Sequence, residues 1–170
     1  MNSLGQQILF SRKIHERARY LRGKFLNTVA VIERDIALII TDYFCNSDTQ
    51  KRELFFRSIV TASFFSLRTK IEVLRIIVKN DYPRFWQRNN KALNILDKII
   101  KFRNKLAHSV VDVSEAALSR PIEQGIGFID WKKAEPISDH QFQEWEVKAH
   151  MVLSCLADIR RLLPFKEKIN

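Results

Sequence analysis

Glycine, proline and cysteine are all scarce in this 170-residue chain, at four, four and two residues. So few turn formers exclude a sandwich or barrel, and the abundance of Leu, Ile, Lys, Arg and Glu points to helices. Cys45 and Cys155 stand far apart, with no C-x-x-C spacing and no neighbouring His/Cys cluster. That excludes a disulfide framework and a zinc site, and it suits a reducing cytoplasm. Long apolar runs are missing too. The greasiest stretch, "LFFRSIVTASFFSL" at 54–67, carries Arg57 and is too short to span a bilayer. The opening "MNSLGQQILFSRKIHERARY" reaches Arg12 and Lys13 after only a few apolar residues, so neither a signal peptide nor a membrane anchor is expected. No G-x-x-x-x-G-K-[ST], G-x-G-x-x-G or nucleophile-elbow pattern occurs, which leaves nucleotide hydrolysis and dinucleotide redox chemistry without support and calls for no cofactor.

What the chain has in quantity is apolar residues and positive charge. A hydrophobic content of 46% fits a single globular domain over 1–170, with its core at about 20–163. The net charge of +10 is unevenly spread: +3 over residues 1–45, +9 over 46–109 and −2 over 110–170. A basic stripe in the middle third would draw phosphates from a distance, while ordinary solvated helix faces are its plainer reading.

The periodicity predicts an up-and-down bundle of four to five helices, an all-α fold. Leu21, Phe25, Val29, Ile32, Ile36, Ile39 and Tyr43 recur at three- and four-residue spacing, predicting a first helix over 11–44 with a bend at Gly23. Ser47 and Gln50 have capping-box spacing and predict a second helical start at about Asp48. The β-branched stretch at 61–63 should interrupt that helix, and Leu67, Ile71, Leu74 and Val78 resume the stripe until "NDYPRF" stops it at Pro83. A third main helix is expected from Asn90 to His108. Residues 109–137 hold Gly125, Gly127, Pro121 and Pro136, and read as an insertion with a short β-hairpin or extended loop in which "GFIDW" is the expected strand. Ser138 and Gln141 form a capping box opening the last helix, whose stripe runs Phe142, Trp145, Ala149, Val152, Leu156, Ile159 and Leu163 up to Pro164.

On the third helix one residue is out of place. Each residue advances about 100°. With Ile95 at zero, the apolar arc runs from Phe102 at about 340° through Leu106, Ile99, Ala92, Leu96, Ala107 and Ile100 to Leu93 at about 160°, and Arg103 falls at about 80°, in its middle. A guanidinium cannot give up its charge, so it needs a partner, a route to water or an anionic ligand. Glu33, Asp35 and Glu72 are the candidate carboxylates. Asn104 and His108, at about 180° and 220°, lie one turn apart at the edge of the arc. A plain helix cap also accounts for them, because a cationic histidine near the last carbonyls gains from the helix dipole.

The segment "RNKLAH", Arg103 to His108, resembles the R-x4-6-H motif of HEPN domains in its R-N-x-x-A-H form. An upstream helix ending in "DYF" and an aromatic-rich region leading into "LRTKIEVLRII" are similar in layout to bacterial members. The resemblance covers about 20–163, and the six-residue motif is its specific part. It implies a helical bundle that forms a two-fold homodimer, with both motifs facing a shared cleft. It also implies a metal-independent endoribonuclease acting in phage defence, stress response or RNA turnover, with an antitoxin or regulatory protein as a further partner. The alternative it carries is a catalytically silent module that binds a protein or nucleotide or serves dimerisation. Toxin members with a following tyrosine read R-x4-H-x-Y, whereas position 110 here is valine, which speaks against toxin behaviour and nucleotidylation.

The side chains fit RNA cleavage. RNA carries its own nucleophile, the 2′-hydroxyl, so a proton-transfer group and a charge stabiliser suffice. His108 is the candidate acid and base, Arg103 the bidentate phosphoryl ligand, and Asn104 the group that orients the ring or holds the phosphate. Lys98, Lys101, Lys105, Arg88 and Lys91, with Arg84 just upstream, would track the RNA backbone. Phe85, Trp86 and Trp131 have the rings to stack on bases, although burial is the commoner fate of such residues. His15, His140 and His150 have no partner at ligand spacing. A binder using only the basic stripe, without chemistry, is the remaining class.

Overall fold

The first apolar stripe folds as a helix that starts earlier than expected. In the computed structural model, which describes residues 4–45, 49–130 and 133–163, α1 runs Leu4–Cys45. Its buried positions continue upstream of Phe25 through Ala18 to Ile14 at helical spacing, so the packed face begins well before residue 20. The helix passes through Gly23 unbroken.

α2 (Thr49–Phe55) has no buried residue and passes into a π-helical turn, Phe56–Val60, in which the Thr61 N–H donates to the Phe56 carbonyl at 3.0 Å. The helix therefore breaks in the expected place. α3 (Leu67–Asp81) opens on Ser66, whose Oγ accepts the Thr69 N–H at 3.2 Å. α4 (Pro83–His108) begins at Pro83 rather than at Asn90. The same proline that ends α3 is at home in the first helical position, where its missing N–H is no loss. Ser47, Trp131 and Pro164 lie outside the described residues.

The insertion at 109–137 is a three-stranded antiparallel sheet in the order β1 (Val110–Val111), β2 (Ile126–Asp130), β3 (Lys133–Ile137). β2 is the expected strand, and β1 adds a third to the expected hairpin, pairing Val110 with Ile129 and Val111 with Phe128. A short helix, α5 (Glu115–Leu118), and a 3-10 turn at Ile122–Gln124 link β1 to β2. Gly125 has φ of 114°, and a Cβ there would stand 2.7 Å from the Ile137 carbonyl group. α6 (Asp139–Leu162) starts on the expected box: the Ser138 N–H donates to Gln141 Oε1 at 2.9 Å and the Gln141 N–H to Ser138 Oγ at 3.2 Å. The fold is thus all-α with one small sheet.

Two compact units divide the chain, Met1–Thr28 with Lys101–Val147, and Val29–Ile100 with Lys148–Asn170. The first is built on aromatic packing. Phe102 meets Phe25 edge-on at 4.9 Å, stacks on Trp145 at 4.6 Å and touches Phe142 at 5.8 Å. Arg17 pairs with Asp139 and Lys24 with Glu146, joining α1 to α6 there. In the second unit, aliphatic residues such as Ile36, Ile71, Leu74, Leu93 and Leu96 form the core. Lys70, 5% exposed, donates to Glu33 at 2.5 Å, and Arg75 holds Asp97 at 2.8 Å and the Leu93 carbonyl at 3.1 Å. The Tyr43 hydroxyl donates to Asp81 at 2.5 Å, which together with burial pushes the phenol up to about 12.

Two pairs of residues test this packing. Gly23 is a helical glycine with nothing within 4 Å of a built Cβ, whereas at Gly127 that atom would lie 2.6 Å from the Cβ of buried Asp112. Gly23→Ala is expected to stabilise the chain by about 0.5–1 kcal/mol in urea unfolding, and Gly127→Ala to destabilise it by about 1–3 kcal/mol. Burial also pushes the Cys155 thiol up to about 11. At pH 8 only about one Cys155 in a thousand is then a thiolate. A disulfide-exchange reagent should titrate one thiol, the half-exposed Cys45, and reach the second only after denaturation.

Candidate active site

The roll of α4 about its axis decides where the motif residues point. Phe102 and Leu106 are buried, as are Ala92, Leu96 and Ile99 on the same arc. Arg103 projects from within that arc and is half-buried, while Asn104 and His108 are exposed at its edge. The guanidinium finds no carboxylate: Glu33 is taken by Lys70 and Glu72 by Arg75, and Arg103 makes no ion pair among the described residues. Among the described residues its single polar contact is Nη1 donating to Asn104 Oδ1 at 3.1 Å.

Asn104 is therefore oriented by Arg103 and not by His108. Helical side chains lean toward the N-terminus, so the short Asn104 amide tilts away from the turn that carries His108, while the long Arg103 side chain curls round to meet it. The His108 ring makes no hydrogen bond among the described residues. α4 stays helical through His108, and the Ser109 N–H closes its last turn on the Lys105 carbonyl at 3.0 Å. Arg103 and His108 consequently diverge by about 140° with an axial offset of about 7.5 Å.

The cations expected to follow the backbone, Arg84 among them, share α4. Arg88, Lys91, Lys98 and Lys101 are exposed and Lys105 is half-buried. They sweep from about 20° back to about 240° on the wheel, adjoining His108 at about 220°. Asp97 is the single acid of the helix, and Arg75 holds it. Phe85 is 7% exposed and belongs to the core, and Trp86 lies under the Lys79 ammonium at 4.7 Å.

Sequence reasoning missed Arg22 and Ser109. Arg22 Nη2 donates to the Ser109 carbonyl at 2.8 Å, with its guanidinium carbon 5.4 Å from the Phe128 ring centroid. The signal was the one that singled out Arg103. On α1, Arg22 stands about 60° from Phe25 and about 20° from Val29, inside the apolar stripe. Among the described residues no group of three or more His, Cys, Asp or Glu could hold a metal ion, and no helix is long and apolar enough to cross a membrane. No family model, no curated protein and no solved structure matches the chain.

A half-buried cation with only a neutral amide for company does little for stability. Arg103→Met, which fills the same arc with apolar atoms, is expected to leave stability unchanged or raise it by up to about 1 kcal/mol. Arg75→Met removes two ion pairs and a carbonyl partner, and should lower stability by about 1–3 kcal/mol. Urea unfolding followed by circular dichroism checks both, and a marked loss in Arg103→Met would make that residue a structural cation.

Proposed function

We propose that this chain is a metal-independent endoribonuclease of HEPN type, working as a homodimer on single-stranded or looped RNA in phage defence or stress response. The observation that carries the reading is Arg103, held in the apolar arc of α4 with no carboxylate to neutralise it. In the proposed reaction the imidazole of His108 takes the proton of the 2′-hydroxyl as that oxygen attacks the adjacent phosphorus. The P–O5′ bond breaks, and an imidazolium donates a proton to the departing 5′-oxygen. Arg103 binds two phosphoryl oxygens and stabilises the charge that accumulates on them, with Asn104 fixing the guanidinium plane. Products carry a 2′,3′-cyclic phosphate and a 5′-hydroxyl. The cations along α4 supply the sequence-independent hold on the strand.

The divergence of Arg103 and His108 on a closed helix supports a site assembled from two copies, with Arg103 of one facing His108 of the other. Purified protein should then cleave RNA in EDTA, and Arg103→Ala and His108→Ala should each lower kcat/KM by about a thousandfold with unchanged circular dichroism. Mixing the two inactive variants should restore about a quarter of wild-type activity, because half the dimers are mixed and each mixed dimer has one intact site. Full activity in either single variant would place the chemistry elsewhere, and no recovery on mixing would place both groups in one subunit. A binder without chemistry would leave the RNA uncut while losing affinity steeply with salt.

A further inference from the structure

We infer that Arg22 is a positioning residue for His108, acting through the backbone of Ser109; the inference rests on the proposed role of His108 in proton transfer. Nothing holds the His108 ring directly, since it makes no hydrogen bond among the described residues. The backbone that carries it sets where its Cα–Cβ bond points and so which region the ring can reach, and that backbone is clasped at the next residue. Ser109 is 5% exposed. Its N–H and its Oγ both donate to the Lys105 carbonyl, at 3.0 and 2.5 Å, and its own carbonyl accepts from Arg22 Nη2 at 2.8 Å. Two of these bonds belong to α4 itself. The third comes from another helix, α1.

The chemistry of the clasp argues for geometry over stability. Arg22 Nε is buried and has no hydrogen-bond partner, a deficit that works against the folded state. Satisfying one carbonyl would not require an arginine. The Arg22 guanidinium carbon, however, lies 5.4 Å from the Phe128 centroid, and a planar guanidinium resting against a ring is better able to hold one direction for Nη2 than a rotating ammonium would be. β2 and α1 together thus hold one hydrogen bond to the residue that follows α4. Proton transfer is sensitive to this, because a misplacement of about 1 Å can lower a rate about a hundredfold.

The test compares Arg22→Met, which keeps the bulk and removes the donor, with Arg22→Lys, which can still donate. Arg22→Met is expected to lower kcat for RNA cleavage at least about tenfold with KM within about twofold, and to shift or broaden the His108 ring resonances. Arg22→Lys should recover kcat to within about threefold of wild type. Lys24→Met, which breaks the Lys24–Glu146 pair on the same helix, controls for general loosening and should leave both readouts unchanged. Should Arg22→Met fail to fold, Arg22→Gln, whose amide is shorter, carries the same expectation. Unaltered His108 resonances in the Arg22 variant, or an equal effect from Lys24→Met, would overturn the inference. A wild-type protein that cuts no RNA would sink the nuclease reading, while the histidine resonances would still report whether Arg22 positions that ring.

Discussion

The seating of Phe102 is the constraint on which the site depends. One ring contacts Phe25 of α1 and both Phe142 and Trp145 of α6, so α4 cannot roll without breaking three aromatic contacts at once. Aromatic pairs add about 0.5–1.5 kcal/mol each beyond the area they bury. Once Phe102 is fixed, every neighbour follows by rotation. Arg103 comes about 100° further round, still within the apolar arc, and Asn104 and His108 come out on its margin. The half-burial of the guanidinium is thus a consequence of where a phenylalanine next to it must go.

The second constraint is the closed end of α4. Had the last turn unwound, Arg103 and His108 of one chain could have folded toward a common point. The Ser109 N–H and Oγ both donate to the Lys105 carbonyl, and Arg22 holds the Ser109 carbonyl from outside. Those bonds keep the two functional side chains on different faces. Rigidity of this kind would serve the proposed site, in which the halves come from different subunits, since each half would arrive already oriented.

Much of the fold was legible, because its signals are local. Ser138 and Gln141 satisfy each other's backbone across one turn, the stripe from Phe142 to Ile159 is one face of one helix, and Pro83 ends a helix by its own ring. The misses are of two kinds. Propensity without a strong apolar pattern carried α1 back to Leu4, where burial is sparse, and at α4 the proline that stops one helix opens the next, with Phe85 already in the core. The clasp at Ser109 joins residues 87 positions apart, and no local pattern encodes which distant donor meets a helix end. For the candidate site, the anomaly of Arg103 was visible on a helical wheel, but the partner of Asn104 was not. Side-chain tilt decided that contact in favour of the adjacent residue, where wheel proximity alone favoured His108.

The distribution of carboxylates explains why α4 is the element that should face an anion. Several cations on the other helices are answered: Arg17 by Asp139, Lys24 by Glu146, Arg52 by Asp42, Lys70 by Glu33. α4 carries nearly all of its charge in one sign, and its single acid, Asp97, is spent on Arg75 of α3. Like charges crowded on one helix repel and lower its stability, by a few tenths of a kcal/mol for each close pair. Solubility is no reason to tolerate that, because alternating signs would serve it as well. In the proposed reading a polyanion lying along the helix would turn the same repulsion into attraction, and it would supply Arg103 with the counter-charge that the described residues do not. On that proposal the stripe and the half-buried arginine would answer one requirement, a phosphate chain running along α4 toward its C-terminal turn.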